Sequence, residues 1–243
     1  MKRKGAAAPR RNPVLLLHGI LGQRHLYWNL FKRRLEADGF RVHEVLLPYY
    51  LLGDMRIAAR FLQEKVEATL RGDHAERVDI VGHSAGGLVA RYYLKHLEGH
   101  KRVGHLVTLG TPHKGTYFSY LLALPFLEIT RQTRPGSNFL SEINGPSAVH
   151  PAVRVTSVWS PTDGVVLPPE NAVLPGAHNV KVPWTSHWGF MWQKGVYDVV
   201  KGLLEAGDPQ RTLDGAPASA APRARPAAPP PTGTDGRARP SSS

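Results

Sequence analysis

A serine flanked by glycines, placed between a strand and a helix, constrains this chain more than any other feature. Residues 82–86 read Gly-His-Ser-Ala-Gly, directly after the apolar run 78–81 and before a helical pattern. In such a G-x-S-x-G turn the serine hydroxyl is lifted above a sheet, and the glycines let neighbouring backbone segments approach closely. The pattern predicts a sharp strand-to-helix turn with Ser84 at its tip. The alternative is a surface turn with an incidental serine.

Strand-like and helix-like segments alternate along the rest of the chain. The predicted strands are 14–18, 40–46, 78–81, 103–109, 153–159 and 179–182. The predicted helices are 25–38, 54–70 with Asp54 as N-cap, 85–97 and 188–205. This alternation predicts an α/β fold, with a compact, mostly parallel sheet of about six strands and helices on both faces. Catalytic groups in such a sheet belong at the carboxyl ends of the strands.

The two ends of the chain differ in composition from its middle. The formal net charge is +12, and more than half of this excess lies in 1–12 and 206–243. We expect a basic flexible N-terminus over 1–12, one domain over 13–205, and a disordered tail rich in Pro, Ala and Arg over 206–243. Basic ends can attract anionic surfaces, but nothing in 13–205 resembles a nucleic-acid module, so no specific nucleic-acid partner is predicted.

Two further absences limit the classes of function. The chain has no cysteine, which excludes disulfides, thiolate metal sites and a cysteine nucleophile. No segment reaches the roughly 18 apolar residues of a membrane span. The basic start lacks the apolar stretch of a signal peptide, so the expected location is cytoplasmic. The sequence leaves the oligomeric state open.

A serine hydroxyl needs a base to act as a nucleophile, and the base needs an orienting acid. With this type of turn the chain order is Ser, acid, His. Asp163 follows the strand 153–159 and is favoured as the acid, with Glu170 as the alternative. His187 follows the last predicted strand and is favoured as the base, whereas His178 precedes that strand and is expected to be a solvated loop residue.

The reaction also needs N–H donors for a developing oxyanion, each contributing roughly 10²–10³ in rate. The backbone N–H of Ala85 is one candidate, and that of Ile20, after the first strand, is the other. His18 is expected to support this loop. His113 precedes both candidate acids in the chain and is expected to stabilise a loop or line the pocket.

Five segments resemble bacterial lipases and esterases of the α/β-hydrolase superfamily. They read HGILG at 18–22, GHSAGG at 82–87, TLGTPHKG at 108–115, SPTDGVV at 160–166, and GAHNVKV…HWGF within 176–190. The resemblance implies Ser84, Asp163 and His187 as a triad, with the Ile20 and Ala85 amides as oxyanion hole. It implies carboxylic esters with apolar acyl chains as substrates, and no cofactor. Some larger members hold a structural calcium with paired aspartates; Asp163 has no such partner nearby, so no metal is predicted.

The substrate contacts are predicted from apolar residues near strand ends. They are Leu21, Tyr117, Leu121, Leu122 and Trp188. The apolar segment 117–127 is interpreted either as an acyl-binding wall or lid, or as a core helix. The expected partner is a small-molecule or lipid ester, with transient contact to a lipid interface.

The same triad supports other chemistry, which the sequence leaves open. Acyl transfer and the cleavage of thioesters, amides or polyesters all use this mechanism. A binding protein that keeps the fold without turnover is a further hypothesis.

Overall fold

The computed structural model describes residues 11–22, 28–121 and 127–206. Most of the predicted flexible N-terminus and nearly all of the predicted tail lie outside this part. Arg11 and Asn12, which we assigned to the flexible N-terminus, instead contact the domain. The Arg11 guanidinium lies 4.8 Å from the centre of the Phe40 ring, and the Asn12 amide donates to Asp79 at 3.0 Å.

The core of the molecule is a parallel sheet in the order β2-β1-β3-β4-β5-β6. All five strand pairings are parallel. The prediction of about six mostly parallel strands is therefore confirmed. The strands are β1 Val14–Leu17, β2 Val42–Val45, β3 Val78–His83, β4 Val103–Leu109, β5 Arg154–Trp159 and β6 His178–Lys181.

Four longer helices accompany the sheet within the described residues. They are α1 Asn29–Ala37, α2 Met55–Asp73, α3 Ala85–His96 and α7 Lys194–Glu205. Three short helices lie between β4 and β5, namely α4 Phe118–Leu121, α5 Glu128–Gln132 and α6 Asn138–Asn144. Asp54 caps α2 as predicted, since its carboxylate accepts from the Arg56 N–H at 2.8 Å. None of the helices in the described part is both long and apolar enough to cross a membrane.

Most boundaries differ from the prediction by one to three residues, and two helix starts differ by more. The helix predicted over 25–38 begins at Asn29, and residues 23–27 lie outside the described part. The helix predicted over 188–205 begins only at Lys194, because Gly189–Met191 forms a separate 3₁₀ turn. Phe190 and Met191 of that turn are buried in the core. Their apolar spacing resembles that of a buried helix face, which explains why the sequence predicted an earlier helix start.

The sheet buries both of its faces, and β1 shows how. Leu15 and Leu17 pack with α2 and α3 in one core cluster. Val14 and Leu16 pack with α1 and α7 in the other. A strand covered on both sides reads as an uninterrupted apolar run, which is the pattern of 14–17. The parallel strands all end at one edge of the sheet, and their following loops meet there.

Candidate active site

Ser84 lies at the turn between β3 and α3, in a backbone conformation that non-glycine residues rarely adopt. Its φ is 53° and its ψ is −129°. Two contacts hold this strained residue. The Ser84 N–H donates to the Leu109 carbonyl at 2.8 Å, and the Thr111 hydroxyl donates to the Ser84 carbonyl at 2.8 Å. The end of β4 therefore fixes the serine backbone from both sides.

The glycines of the motif allow α3 to approach the strand ends. A Cβ on Gly86 would lie 2.5 Å from the His18 carbonyl oxygen at the end of β1. A Cβ on Gly82 would lie 2.9 Å from the Gly87 Cα. Both distances are below any ordinary contact, so these positions require glycine. The motif thus contains glycine on both sides of Ser84 because other backbone segments approach closely there.

Asp163 and His187 form a buried pair. The His187 Nδ1–H donates to the Asp163 carboxylate, at 2.9 Å and 3.0 Å from its two oxygens. Asp163 is 3% exposed and His187 4%. The N–H groups of Val165 and Val166 donate to the same carboxylate at 2.9 Å and 3.0 Å, which fixes its orientation. Because Nδ1 carries the proton, the neutral ring has Nε2 free to accept one.

Glu170, the alternative acid, is exposed in the turn Pro169–Ala172. His178, the alternative base, is exposed at the start of β6, rather than in the loop where we placed it. The structure thus brings Asp163, and not Glu170, to His187. Within the described residues, Ser84 and His187 line one cleft without a hydrogen bond between their side chains. Such bonds often tighten only in the substrate complex.

His83, the residue before the nucleophile, supports the base. Its Nε2–H donates to the His187 carbonyl at 2.8 Å, and the two rings lie 4.7 Å apart between centres. Complete burial holds the pKa of His83 well below its ordinary value, so the ring stays neutral. Sequence reasoning missed this role, since the motif leaves the residue before the serine unspecified.

His18 organises the loop that contains Ile20. Its Nε2 accepts from the Leu47 N–H at 2.9 Å, so Nδ1 carries the proton and donates to the Gly19 carbonyl at 2.7 Å. Burial lowers the pKa of His18, which keeps the ring neutral. Leu21 then adopts a left-handed φ of 58°. The supporting role expected of His18 is thus visible in its contacts, and Ile20 and Ala85 line the same cleft.

His113 lies below this site in a polar network. Its Nδ1 accepts from the Arg91 guanidinium at 3.3 Å, and its Nε2–H lies 3.1 Å from the Thr108 hydroxyl and 3.3 Å from that of Ser157. Burial holds its pKa well below the ordinary value. His113 therefore has the loop-stabilising role, and it is not among the residues that line the cleft.

The cleft around Ser84 has a volume of about 350 Å³. Of the predicted contacts, it includes Leu21 and Trp188, while Tyr117 and Leu121 lie outside its lining on the exposed surface. Leu122 lies outside the described residues. The cleft is lined by Ile20, Leu21, Ser84, Ala85, Pro112, Thr116, Phe118, Ser119, Thr133, Val165, Val166, His187 and Trp188.

Seven of these lining residues were not named individually as substrate contacts, although Phe118 and Ser119 belong to the apolar segment 117–127. Pro112, Thr116, Phe118, Ser119 and Thr133 follow β4, and Val165 and Val166 follow Asp163. The rule that sites lie beyond strand ends points to these loops. It does not tell which side chains of a loop face the cleft.

Comparison with known proteins identifies relatives of both sequence and fold. The family described as palmitoyl protein thioesterase matches residues 13–161, which include Ser84 and end before Asp163 and His187. A triacylglycerol lipase of Pseudarthrobacter phenanthrenivorans is 30% identical over 118 residues, covering 46% of this chain and 36% of the relative. A triacylglycerol lipase of Burkholderia plantarii is 30% identical over 118 residues, covering 46% and 32%. The aligned part spans about a third of these curated relatives.

Solved structures share the fold at low sequence identity. The Aspergillus fumigatus lipase B structure has a TM-score of 0.72 at 18% identity, covering 80% of this chain and 52% of that one. The mature Bacillus licheniformis lipase BlEst2 has a TM-score of 0.69 at 18% identity, covering 82% and 94%. With its parallel sheet and its match over more than half of its length, this chain has the α/β-hydrolase fold and belongs to the palmitoyl protein thioesterase family.

Proposed function

We propose that this protein is a serine hydrolase that cleaves carboxylic esters with apolar acyl chains. One observation carries the proposal. The hydrogen-bonded Asp163–His187 pair shares a cleft with Ser84, which is held in a strained turn. A base that is oriented by a buried acid and shares a cleft with a serine hydroxyl is the arrangement that acyl transfer to serine requires.

The reaction proceeds through an acyl-enzyme. The Ser84 Oγ attacks the ester carbonyl carbon while His187 Nε2 takes the hydroxyl proton. The N–H groups of Ile20 and Ala85 donate to the oxyanion of the tetrahedral intermediate, and Asp163 stabilises the imidazolium. The intermediate collapses, and His187 gives its proton to the departing alcohol. Water then attacks the acyl-enzyme with His187 as base, and the carboxylic acid leaves as the Ser84 hydroxyl is restored.

The lining of the cleft supports an apolar acyl chain as the bound group. Phe118, Val165 and Val166 provide an apolar wall, and Leu21 lies at the mouth, 62% exposed. Each methylene that such a surface removes from water contributes about 0.8 kcal/mol. Longer acyl chains should therefore bind more tightly until the cleft is filled.

The family match favours a second candidate within the same mechanism. The family that matches this chain is described as palmitoyl protein thioesterase, which favours thioester substrates. A thiolate leaving group departs from the same tetrahedral intermediate, so the geometry accommodates both bonds. Only a direct comparison of matched substrates separates them.

Ser84→Ala tests the nucleophile. Removing the attacking oxygen should lower turnover of p-nitrophenyl esters by a factor on the order of 10⁶. Esters of graded chain length, assayed beside thioesters with the same acyl groups, give the preferred chain and leaving group. The matched control is Ser141→Ala, at an exposed serine on α6, which should keep wild-type rates. Full activity of Ser84→Ala would sink the mechanism.

Asp163→Asn and Glu170→Gln, compared side by side, identify the acid. An amide at 163 would favour the wrong tautomer of His187 and should lower turnover by a factor on the order of 10⁴. Glu170→Gln changes an exposed side chain and should leave turnover near the wild-type value. The reverse pattern in these steady-state rates would exclude Asp163 as the acid.

The surface around the cleft supports transient contact with lipid. Trp184 is 82% exposed in the loop after β6, and Trp188 is half-exposed at the cleft. Leu21 and Trp184 are both held at left-handed φ values, of 58° and 54°. Large apolar side chains that are exposed on strained backbone contribute no burial that would stabilise the folded protein. Burial in a lipid surface would offset their exposure, so these residues define an apolar rim at the carboxyl edge of the sheet.

Trp184→Ser tests contact of this rim with lipid. It should weaken binding to phosphatidylcholine vesicles by roughly 10–100-fold, since burying one large apolar side chain contributes about 1.5–3 kcal/mol. Trp184→Phe keeps an aromatic ring and serves as the control that should bind nearly as well as wild type. Co-sedimentation with the vesicles measures the bound fraction. Equal binding by all three proteins would contradict a role for the rim.

A further inference from the structure

A second pocket lies directly beside the catalytic cleft. Ser119 and Thr133 line the cleft, and their hydroxyls are hydrogen-bonded at 2.7 Å. The next residues along the chain, Tyr120 and Arg134, line an open pocket of about 500 Å³. Consecutive residues of the same two segments therefore line the two cavities. We call the second cavity the arginine pocket, after Arg56, Arg131 and Arg134 in its lining.

The arginine pocket carries more positive charge than its lining neutralises. Its described lining contains three arginines and one acidic residue, Glu128. Arg56 is paired with Glu142 and Asp54 outside the lining, and Arg131 lies 3.6 Å from Glu128 in an exposed ion pair. Exposed pairs of this kind contribute little.

Arg134 is the arginine of the pocket that has no anionic partner among the described residues. Among the described residues no carboxylate pairs with it, and its Nε is buried without a hydrogen-bond acceptor. Its guanidinium lies 4.9 Å from the centre of the Tyr120 ring. A buried donor without an acceptor is costly, and in native proteins it usually has a partner. An anionic oxygen in the pocket would give the Arg134 guanidinium the charged partner that it lacks among the described residues.

Arg91 has a structural role that its terminal nitrogens fulfil, although its Nε, like that of Arg134, is buried without an acceptor. Its Nη2 donates to the Ile143 carbonyl, the Asn144 side chain and the Ala148 carbonyl, at 2.9–3.0 Å, while Nη1 donates to His113. It thereby ties the end of α6 to α3. Arg134 has no comparable set of acceptors in the described part of the chain, although it borders open space. This difference separates a structural arginine from one that is free to bind a ligand.

We propose that the arginine pocket binds the phosphate of an amphiphilic substrate whose acyl chain occupies the neighbouring cleft. The guanidinium fork matches phosphate oxygens in geometry and charge. The inference rests on the proposed function and narrows its substrate class to acyl esters or thioesters that carry a phosphate. The phosphate belongs either to a glycerophosphate headgroup or to a nucleotide-bearing thiol such as coenzyme A.

Two matched substrate pairs test this binding site. Octanoylglycerol 3-phosphate is compared with octanoylglycerol, and octanoyl-coenzyme A with octanoyl-N-acetylcysteamine. In the wild type at least one phosphate-bearing member should have the higher kcat/KM. Preference within the first pair identifies a lipid headgroup as the source, and preference within the second identifies the nucleotide-bearing thiol. No preference within either pair overturns the proposal.

Arg134→Met removes the charge and retains an apolar side chain beside Tyr120. It should lower the kcat/KM ratio of the preferred pair by roughly 10–100-fold, the range expected for a lost hydrogen bond to a charged group. Arg134→Lys, which keeps the charge without the fork, should give an intermediate ratio. Arg71 is exposed in the last turn of α2, whereas Arg56 of the pocket lies in the first turn. Arg71→Met therefore removes one charge outside the pocket and should leave the ratio unchanged. Equal ratios in all four proteins contradict the assignment.

A binding measurement separates this inference from the proposed function. Octyl phosphate has no cleavable acyl bond, so calorimetric titration with it requires no turnover. Wild type and Arg71→Met should bind it at least ten-fold more tightly than Arg134→Met. If the wild type binds octyl phosphate but hydrolyses none of the esters, the pocket stands and the proposed function fails. If it hydrolyses the neutral esters but binds octyl phosphate no better than Arg134→Met, only the pocket is refuted.

Discussion

The packing of the Ser84 turn against the ends of β1 and β4 is the constraint on which the rest of the site depends. Gly86 sits where any side chain would collide with the His18 carbonyl, and Ser84 is hydrogen-bonded to Leu109 and Thr111. These contacts fix a strained serine backbone at the carboxyl edge of the sheet. The same edge supplies the loops with Ile20, Asp163 and His187, so these groups meet around the Ser84 turn.

Neutral buried histidines extend this constraint outward. His18 ties the β1 loop to the backbone after β2, His83 holds the backbone of His187, and His113 links the β4 loop to α3 through Arg91. Burial lowers the pKa of all three, which lets each ring act as a fixed donor and acceptor. His187 differs, because its ring is oriented by the carboxylate of Asp163.

Much of the fold could be predicted because strands buried on both faces leave apolar runs, as at 14–17. The start of α7 could not be predicted, since the buried 3₁₀ turn before it has the same apolar spacing as a helix. Chain order was enough to propose Asp163 and His187. Tyr117 and Leu121 were chosen for their apolar character, which does not show which way a side chain points, and they lie outside the described lining of the cleft. The arginine pocket left no local signal, since tertiary packing assembles it from Arg56, Tyr120 and Arg134.

The central claim is that Ser84 is poised to attack a carbonyl, and covalent labelling tests it most directly. A fluorophosphonate reacts only with an activated serine, forming an Oγ–phosphorus bond as fluoride leaves. Treatment of the native protein, followed by peptide mass spectrometry, should place one phosphonyl group on the peptide that contains Ser84. The unfolded protein should remain unlabelled. Labelling of a different residue, or no labelling of the folded protein, would contradict this account.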